Sequence, residues 1–404
     1  MGTGNIIKEL QKSCVKEIAN DVWLIEGYVG DNFLHQPPSC NCYVIRDRDT
    51  VYIFDPGYYP FYKGRILEII NKYKKDGVKR VTLLVSQGHF DHTANNDVVT
   101  ETGLDWKFFL PEPEIETLRV YDDLVNDIAR LEEYENVYST MFPWRGESAA
   151  LRLIDTVSPG LAGKVFRTMS KRLMFPVQIK NLSDKADILY LKDRVRRNYG
   201  STEVAGWEIG RFFAIHDGAH SPGHVSLYDP QNKILFSGDV TVEVNPAFFY
   251  SSIEKLINVC GDFIKMAQEG YIEMVADAHR SQTFFPPLLE KYKAEVYSDY
   301  QLIDVARGKK ESESFLQAFH DYYKMLKDGV INAHAGTGDA EVRDIVEELS
   351  GLKNPAVRFK QALVWPRIPS RMDVLVASVL KETGVKPVRE GKKRILPRKR
   401  GKVL

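Results

Sequence analysis

Short apolar runs closed by turn residues dominate the first half of the chain. "VWLIEGYV" (22–29), "CYVIRD" (42–47) and "VYIFDPG" (51–57) are rich in β-branched and aromatic residues and predict strands. In "YKGRILEIINKYKK" (62–75) Ile66, Ile69 and Ile70 fall at helical spacing, and "VTLLVSQ" (81–87) returns to strand. A strand, a helix and a strand thus lead into "QGHFDHTAN". That motif is placed on the loop at the end of a buried strand, where α/β folds usually carry their chemistry.

Residues 113–182 read differently, as mainly helical segments broken at Pro143 and Pro159. Strand character resumes in "WEIGRFFAIHDG" (207–218), "HVSLYDP" (224–230) and "KILFSGD" (233–239), with "DPQN" a turn that joins the last two as a hairpin. From about 252 a helix precedes one more apolar strand, "EMVADAH" (273–279), and beyond 284 the pattern is helical, chiefly 314–329, 339–352 and 371–384. There is no internal repeat.

Composition narrows the class. At 404 residues, 44% hydrophobic and 27% charged, the chain can bury a large core and forms one extended domain or two. Fifty-five basic residues balance fifty-five acidic ones, so overall charge selects no partner. Lys8, Lys12 and Lys16 interrupt the N-terminal stretch, leaving no signal-peptide core, and no run approaches the ~20 apolar residues of a membrane span. The expectation is a soluble, cytoplasmic protein without membrane contact. Cys14, Cys40, Cys42 and Cys260 are too few and scattered for a disulfide framework and read as reduced thiols.

Most histidines cluster at the ends of strand-like runs: His89 and His92; His216, His220 and His224 in "HDGAHSPGH"; and His279 closing "EMVADAH". Acidic residues end other runs, namely Asp55 in "IFDPG", Asp91, and Asp239 in "LFSGD". A lone strand-end histidine is usually a hydrogen-bonded structural residue. Here a strand-end Asp, H-x-D-H, PGH, SGD and a final strand-end His follow one another along the chain, and imidazole nitrogen with carboxylate oxygen suits zinc, iron or manganese in a site assembled by folding.

"FDPG", "QGHFDH", "HSPGH", "FSGD" and "ADAH" together resemble the metallo-β-lactamase fold superfamily over roughly residues 20–290. The resemblance implies a four-layer αββα sandwich with a metal cleft at one edge of its two sheets. Carried over motif by motif, it implies one metal position held by His89, His224 and a bridging Asp239, and a second held by Asp91, His92, His279 and the same Asp239. Asp55 would support the ligands by hydrogen bonding, and His220 would do so or touch substrate. Gln87 stands where the family's first motif begins with a histidine, so it is a weaker ligand at the first position or none. His334 competes with His279 for the last ligand place, and His279 is favoured because it ends an apolar strand.

The activity so implied is hydrolysis of a carboxylic ester, thioester or lactone by metal-bound hydroxide, with one or two zinc ions, or iron or manganese, and with Asp91 both ligating and orienting the nucleophile. A non-haem iron oxidoreductase and a non-catalytic binding module are the alternatives. Residues 1–290 are read as the sandwich, with a helical insertion at 113–200 beside the cleft that shapes a small-molecule pocket. Residues 291–404 are read as a mainly helical region. Its last twenty residues carry nine Lys or Arg against one Glu. A basic tail or a homo-oligomer contact accounts for that end better than nucleic-acid binding.

Overall fold

The computed structural model describes residues 15–27, 39–118, 182–246, 250–279, 305–363, 370–385, 388–390 and 393–395. The alternating and continuous apolar runs build two sheets of seven strands each. The first holds, in spatial order, β1 (Val15–Ala19), β2 (Val22–Ile25), β3 (Cys42–Asp47), β4 (Thr50–Phe54), β5 (Arg80–Leu84), β6 (Asp105–Pro111) and β7 (Asp187–Leu189). It is antiparallel as far as β4 and parallel from β4 to β7. The second runs β14 (Val305–Arg307), β13 (Met274–Ala276), β12 (Ile234–Phe236), β11 (Val225–Asp229), β10 (Phe212–His216), β9 (Thr202–Ile209) and β8 (Val195–Tyr199), with only β12 and β13 parallel.

The sheets face each other across Tyr43, Phe54, Trp207, Phe212 and Phe236, all buried. Tyr43 and Phe236 meet edge to face at 4.8 Å between ring centroids. Outside the first sheet lie α1 (Pro60–Lys75), α2 (Phe90–Thr93) and α3 (Val98–Glu101). Pro60 opens α1, Lys72, Lys74 and Lys75 close it where cations suit the helix dipole, and Tyr62, Ile66 and Ile70 bury its inner face. Each such side chain contributes about 1.5–3 kcal/mol when fully buried. Outside the second sheet lie α4 (Ile253–Gln268) and α5 (Lys309–Thr337), with α6 (Val342–Gly351), α7 (Pro355–Leu363) and α8 (Ser370–Glu382) in the same hydrophobic cluster. The architecture is the expected αββα sandwich with a helical C-terminal region. Among the described residues, no helix is long and apolar enough to cross a membrane.

Three expectations change. "WEIGRFFAIHDG" is not one strand but part of β9, a turn and β10, because Gly210 takes φ +63° and folds the run back on itself. Residues 187–189 and 195–199, placed in the helical insertion, instead extend the two sheets as β7 and β8, while 119–181 lie outside the described residues. The second sheet gains a strand beyond residue 290, since β14 pairs antiparallel with β13. Near the end of the chain β15 (Val388–Glu390) and β16 (Lys393–Ile395) pair as an antiparallel hairpin.

The topology decides where chemistry can gather. β4 and β5 run parallel, as do β12 and β13, so the residues following each pair emerge together. These are Asp55, the "QGHFDH" loop, Asp239 and His279.

Candidate metal centre

The "QGHFDH" loop turns immediately after β5. Gly88 is required there by close approach, because a Cβ would stand 2.7 Å from the Leu118 amide nitrogen and 2.8 Å from the Glu114 carbonyl oxygen. One helical turn, α2, then begins after His89 and carries Asp91 and His92. Asn95 ties this turn to the "DPGY" loop by donating to the carbonyls of Pro56, Gly57 and Tyr59 at 3.1, 3.1 and 2.9 Å.

His92 is held from behind. Its Nδ1 lies 2.9 Å from Asp55 Oδ2 and 3.1 Å from Ser86 Oγ, so the nitrogen beside the carboxylate carries the proton and Nε2 presents a lone pair. Asp55 also accepts from the Ser86 amide at 2.6 Å. It does so at φ +56°, a left-handed conformation that costs a non-glycine residue about 1–3 kcal/mol and persists only where contacts enforce it. His92 Nε2 faces His279 Nε2 at 3.2 Å and Asp239 Oδ1 at 3.3 Å, and His279 Nε2 lies 3.3 Å from Asp239 Oδ1 and 3.4 Å from Asp91 Oδ2.

A second group meets the other oxygen of Asp239. His220 Nε2 is 3.3 Å from Asp239 Oδ2 and 3.1 Å from His89 Nδ1. Asn245 Oδ1 lies 2.6 Å from His220 Nδ1, and Tyr250 Oη lies 2.7 Å from His89 Nε2, so each ring turns its remaining nitrogen toward the pocket. Gln87 reaches the same place, with Nε2 donating to Asp239 Oδ2 at 2.5 Å.

The two histidines of "HSPGH" therefore exchange the places expected of them. His224 Nδ1 is 2.8 Å from both oxygens of the buried Asp217, and its Nε2 accepts from the Asp239 amide at 2.8 Å, so neither nitrogen remains for an ion. Gly238, at φ +56°, makes room for that ring, since a Cβ would stand 2.5 Å from His224 Nε2. The expected first-position ligand thus props the backbone of Asp239, and His220, expected to support the ligands or touch substrate, lies against Asp239 Oδ2 and His89. His334 lies on α5 and belongs to none of the candidate ligand groups among the described residues. His216 is turned away, between Arg194 at 2.7 Å and the Pro222 carbonyl at 3.0 Å.

Electrostatics fit a cation. Burial alone would raise the Asp239 carboxyl, but His92, His279 and His220 outweigh it and hold it well below the ordinary carboxylate range. Burial opposes a proton on His279, yet Asp239 and Asp91 overcome it and push the imidazole up to about 10. Burial lowers His89 well below its usual value and takes His220 down to about 4, with the neighbouring histidines adding to the effect. Asp239 Oδ1 and Gln87 Oε1 are buried without a hydrogen-bond partner among the described residues. A buried carboxylate ringed by converging imidazoles is what a divalent cation can neutralise.

Several residues that support the site escaped the sequence reading. Glu114, fully buried, accepts from the Gly88 and Gly223 amides at 2.6 and 2.7 Å and from Ser221 Oγ at 2.7 Å, stapling the two histidine loops together. Burial raises its carboxyl and these bonds draw it back down. Asp217 lies in "HDGAHSPGH", and its spacing of seven before His224 is a usable signal, whereas Glu114 and Asn245 carry none. Cys40 lies close to Asp55 and His92. Its thiol is pushed well up by burial, and Asp55 and His92 are paired with each other.

Residues 35–103 and 153–296, more than half of the chain, match the family model described as the metallo-beta-lactamase superfamily. The chain is 23% identical over 262 residues to a human protein named acyl-coenzyme A thioesterase MBLAC2, covering 62% of this chain and 77% of that one. A cattle protein of the same name is 27% identical over 154 residues, covering 38% of this chain and 44% of that one. Among solved structures, a β-lactamase domain protein from Burkholderia ambifaria superposes with a TM-score of 0.52 at 14% identity, covering 96% of this chain and 94% of that one. The sec-alkylsulfatase Pisa1 from Pseudomonas sp. does so with a TM-score of 0.52 at 14% identity, covering 92% of this chain, which spans 50% of the sulfatase's length.

Proposed function

The chain belongs to the metallo-β-lactamase superfamily and is an enzyme of hydrolase type, and from that premise we propose that it hydrolyses a thioester, with the acyl thioesters of coenzyme A as the substrate class. The observation that carries the metal reading is the division of Asp239: Oδ2 faces His220, which groups with His89, and Oδ1 faces His92 and His279. We assign the first position to His89, His220 and Asp239 with Gln87 beside it, and the second to Asp91, His92, His279 and Asp239. The thioester reading is supported by the shared name of the curated relatives.

A bound zinc would supply a water whose pKa is lowered to about 7 and positive charge to stabilise the developing oxyanion of a carbonyl substrate. The protein's part is to hold and orient. Asp91 is the most exposed of the carboxylates in the set, at 13% of its side chain, and so can meet both an ion and the incoming water. Its second oxygen is suited to orient that water and take up its proton. Asp55 and Asn245 fix the tautomers of His92 and His220, so neither ring has to reorganise during the reaction. The set His89, His220 and Asp239 is also a two-histidine, one-carboxylate arrangement, which suits ferrous iron and keeps an oxidoreductase as the second reading.

Metal analysis of protein purified without added metal, with thiol release from a panel of acyl-coenzyme A thioesters, tests this. Chelator-sensitive turnover is expected with at least one equivalent of zinc. Less than about half an equivalent of any transition metal would remove the metal reading. Oxygen uptake with no thiol release would move the assignment to iron redox chemistry.

A further inference from the structure

The segment after Asp239 is held in place by the C-terminal helices. Between Val240 and Asn245 five backbone carbonyls find partners on α5 and α7. The Tyr323 hydroxyl stands 2.7 Å from the Val240 carbonyl and 3.0 Å from that of Val242, and Tyr322 donates to Glu243 at 2.9 Å. Lys360 donates to the carbonyls of Val244 and Asn245 at 2.8 and 2.9 Å. Tyr322, Tyr323, Lys360 and Asn245 are all fully buried. A buried ammonium is costly unless hydrogen-bonded, so Lys360 is a committed contact and not an incidental one.

What this segment presents is Asn245. Its Oδ1 takes the Nδ1 side of His220 at 2.6 Å, and its Nδ2 donates to the Asp239 carbonyl at 2.6 Å and to Tyr323 Oη at 3.2 Å. One amide thus links the histidine and the backbone of the carboxylate that face the first position, and it is itself gripped from two helices. We propose that α5 and α7 set the first metal position through Asn245, making Asn245 and Lys360 positioning residues for His220 and Asp239. The inference rests on the metal reading above. His92, by contrast, is fixed from the first sheet through Asp55 and Ser86, so the two positions respond differently to changes in the C-terminal helices.

The test uses the full chain and zinc, titrated in competition with a chromophoric chelator, for wild type, Asn245→Leu, Lys360→Met and Tyr323→Phe, with circular dichroism on each. Zinc affinity at the weaker position should fall ~10–100-fold in Asn245→Leu, the usual effect of removing a hydrogen-bond partner of a ligating histidine, and by less in Lys360→Met. The tighter position, which shares only Asp239 with it, should change several-fold less. Tyr323→Phe removes one hydroxyl and should give a smaller loss at the same position, which keeps the test decisive if a larger change prevents folding. Folded variants that keep both affinities overturn this inference and leave the metal reading intact, as does equal weakening of both positions. Wild type that binds no zinc overturns both.

Discussion

The two sides of the site are supported in different ways. On the first sheet, His92 is held by Asp55 and Ser86, which end or follow the strands next to its own loop. On the second sheet, His220 is held by Asn245, and Asn245 by Tyr323 and Lys360, far along the chain on helices packed outside the sandwich. The first arrangement follows from strand pairing alone. The second needs the C-terminal region docked, so the same chemical element, an imidazole with its second nitrogen fixed, depends on local order in one place and on tertiary assembly in the other.

The largest expected effect comes from removing what the two sides share. Asp239→Ala should strip both positions, lowering zinc affinity at each by more than the ~100-fold that loss of an outer contact costs, and abolishing turnover. Loss of one ion with the other retained would break the bridging assignment. Next come the two histidines of "HSPGH". His220→Ala should weaken zinc binding and activity with little change in folding. His224→Ala should cost about 3 kcal/mol in urea denaturation by taking the imidazole partner from the buried Asp217 side chain, which then keeps Ser226 Oγ and the Ala219 amide. Equal metal loss in both would erase the distinction drawn between them.

Gln87→His should raise first-position affinity, since imidazole is the stronger ligand, and unchanged metal content and activity would show Gln87 to be incidental. The smallest effect is in pH. The folded-state value of His279 is raised to about 10 by Asp239 and Asp91 against burial. A raised imidazole stabilises the metal-free protein fully below the unfolded value of about 6.5, and that contribution is lost as pH rises through about 10. Metal-free protein should therefore lose stability between pH 7 and 10 while zinc-loaded protein does so less, and zinc uptake at pH 7 should release a proton, measurable by calorimetry in buffers of different ionisation heat. Parallel stability curves with no proton release would contradict this picture.

Much of this was legible in the chain. Apolar periodicity located the strands flanking the site and the helix Pro60–Lys75, because a buried strand or a helix face writes its period into the sequence. The ligand candidates His89, Asp91, His92, Asp239 and His279 were legible for a related reason, since ends of adjacent parallel strands emerge at one sheet edge. What periodicity cannot carry is the path of a loop. "HSPGH" offers two histidines four residues apart, and only the folded loop, with Asp217 engaging one and Asn245 the other, decides which ring faces the pocket.

The sequence by itself determined the αββα class and the substitution at Gln87, through the family its motifs resemble, and a set of residues suited to a metal, through residue type and spacing. The tertiary structure alone decided the places of His220 and His224, the staple at Glu114 and the dependence on Tyr323 and Lys360. Those rest on hydrogen bonds between residues up to 116 positions apart, as between Lys360 and Val244. Such pairings leave no periodic trace, because each is fixed by where the docked elements bring a donor and an acceptor together.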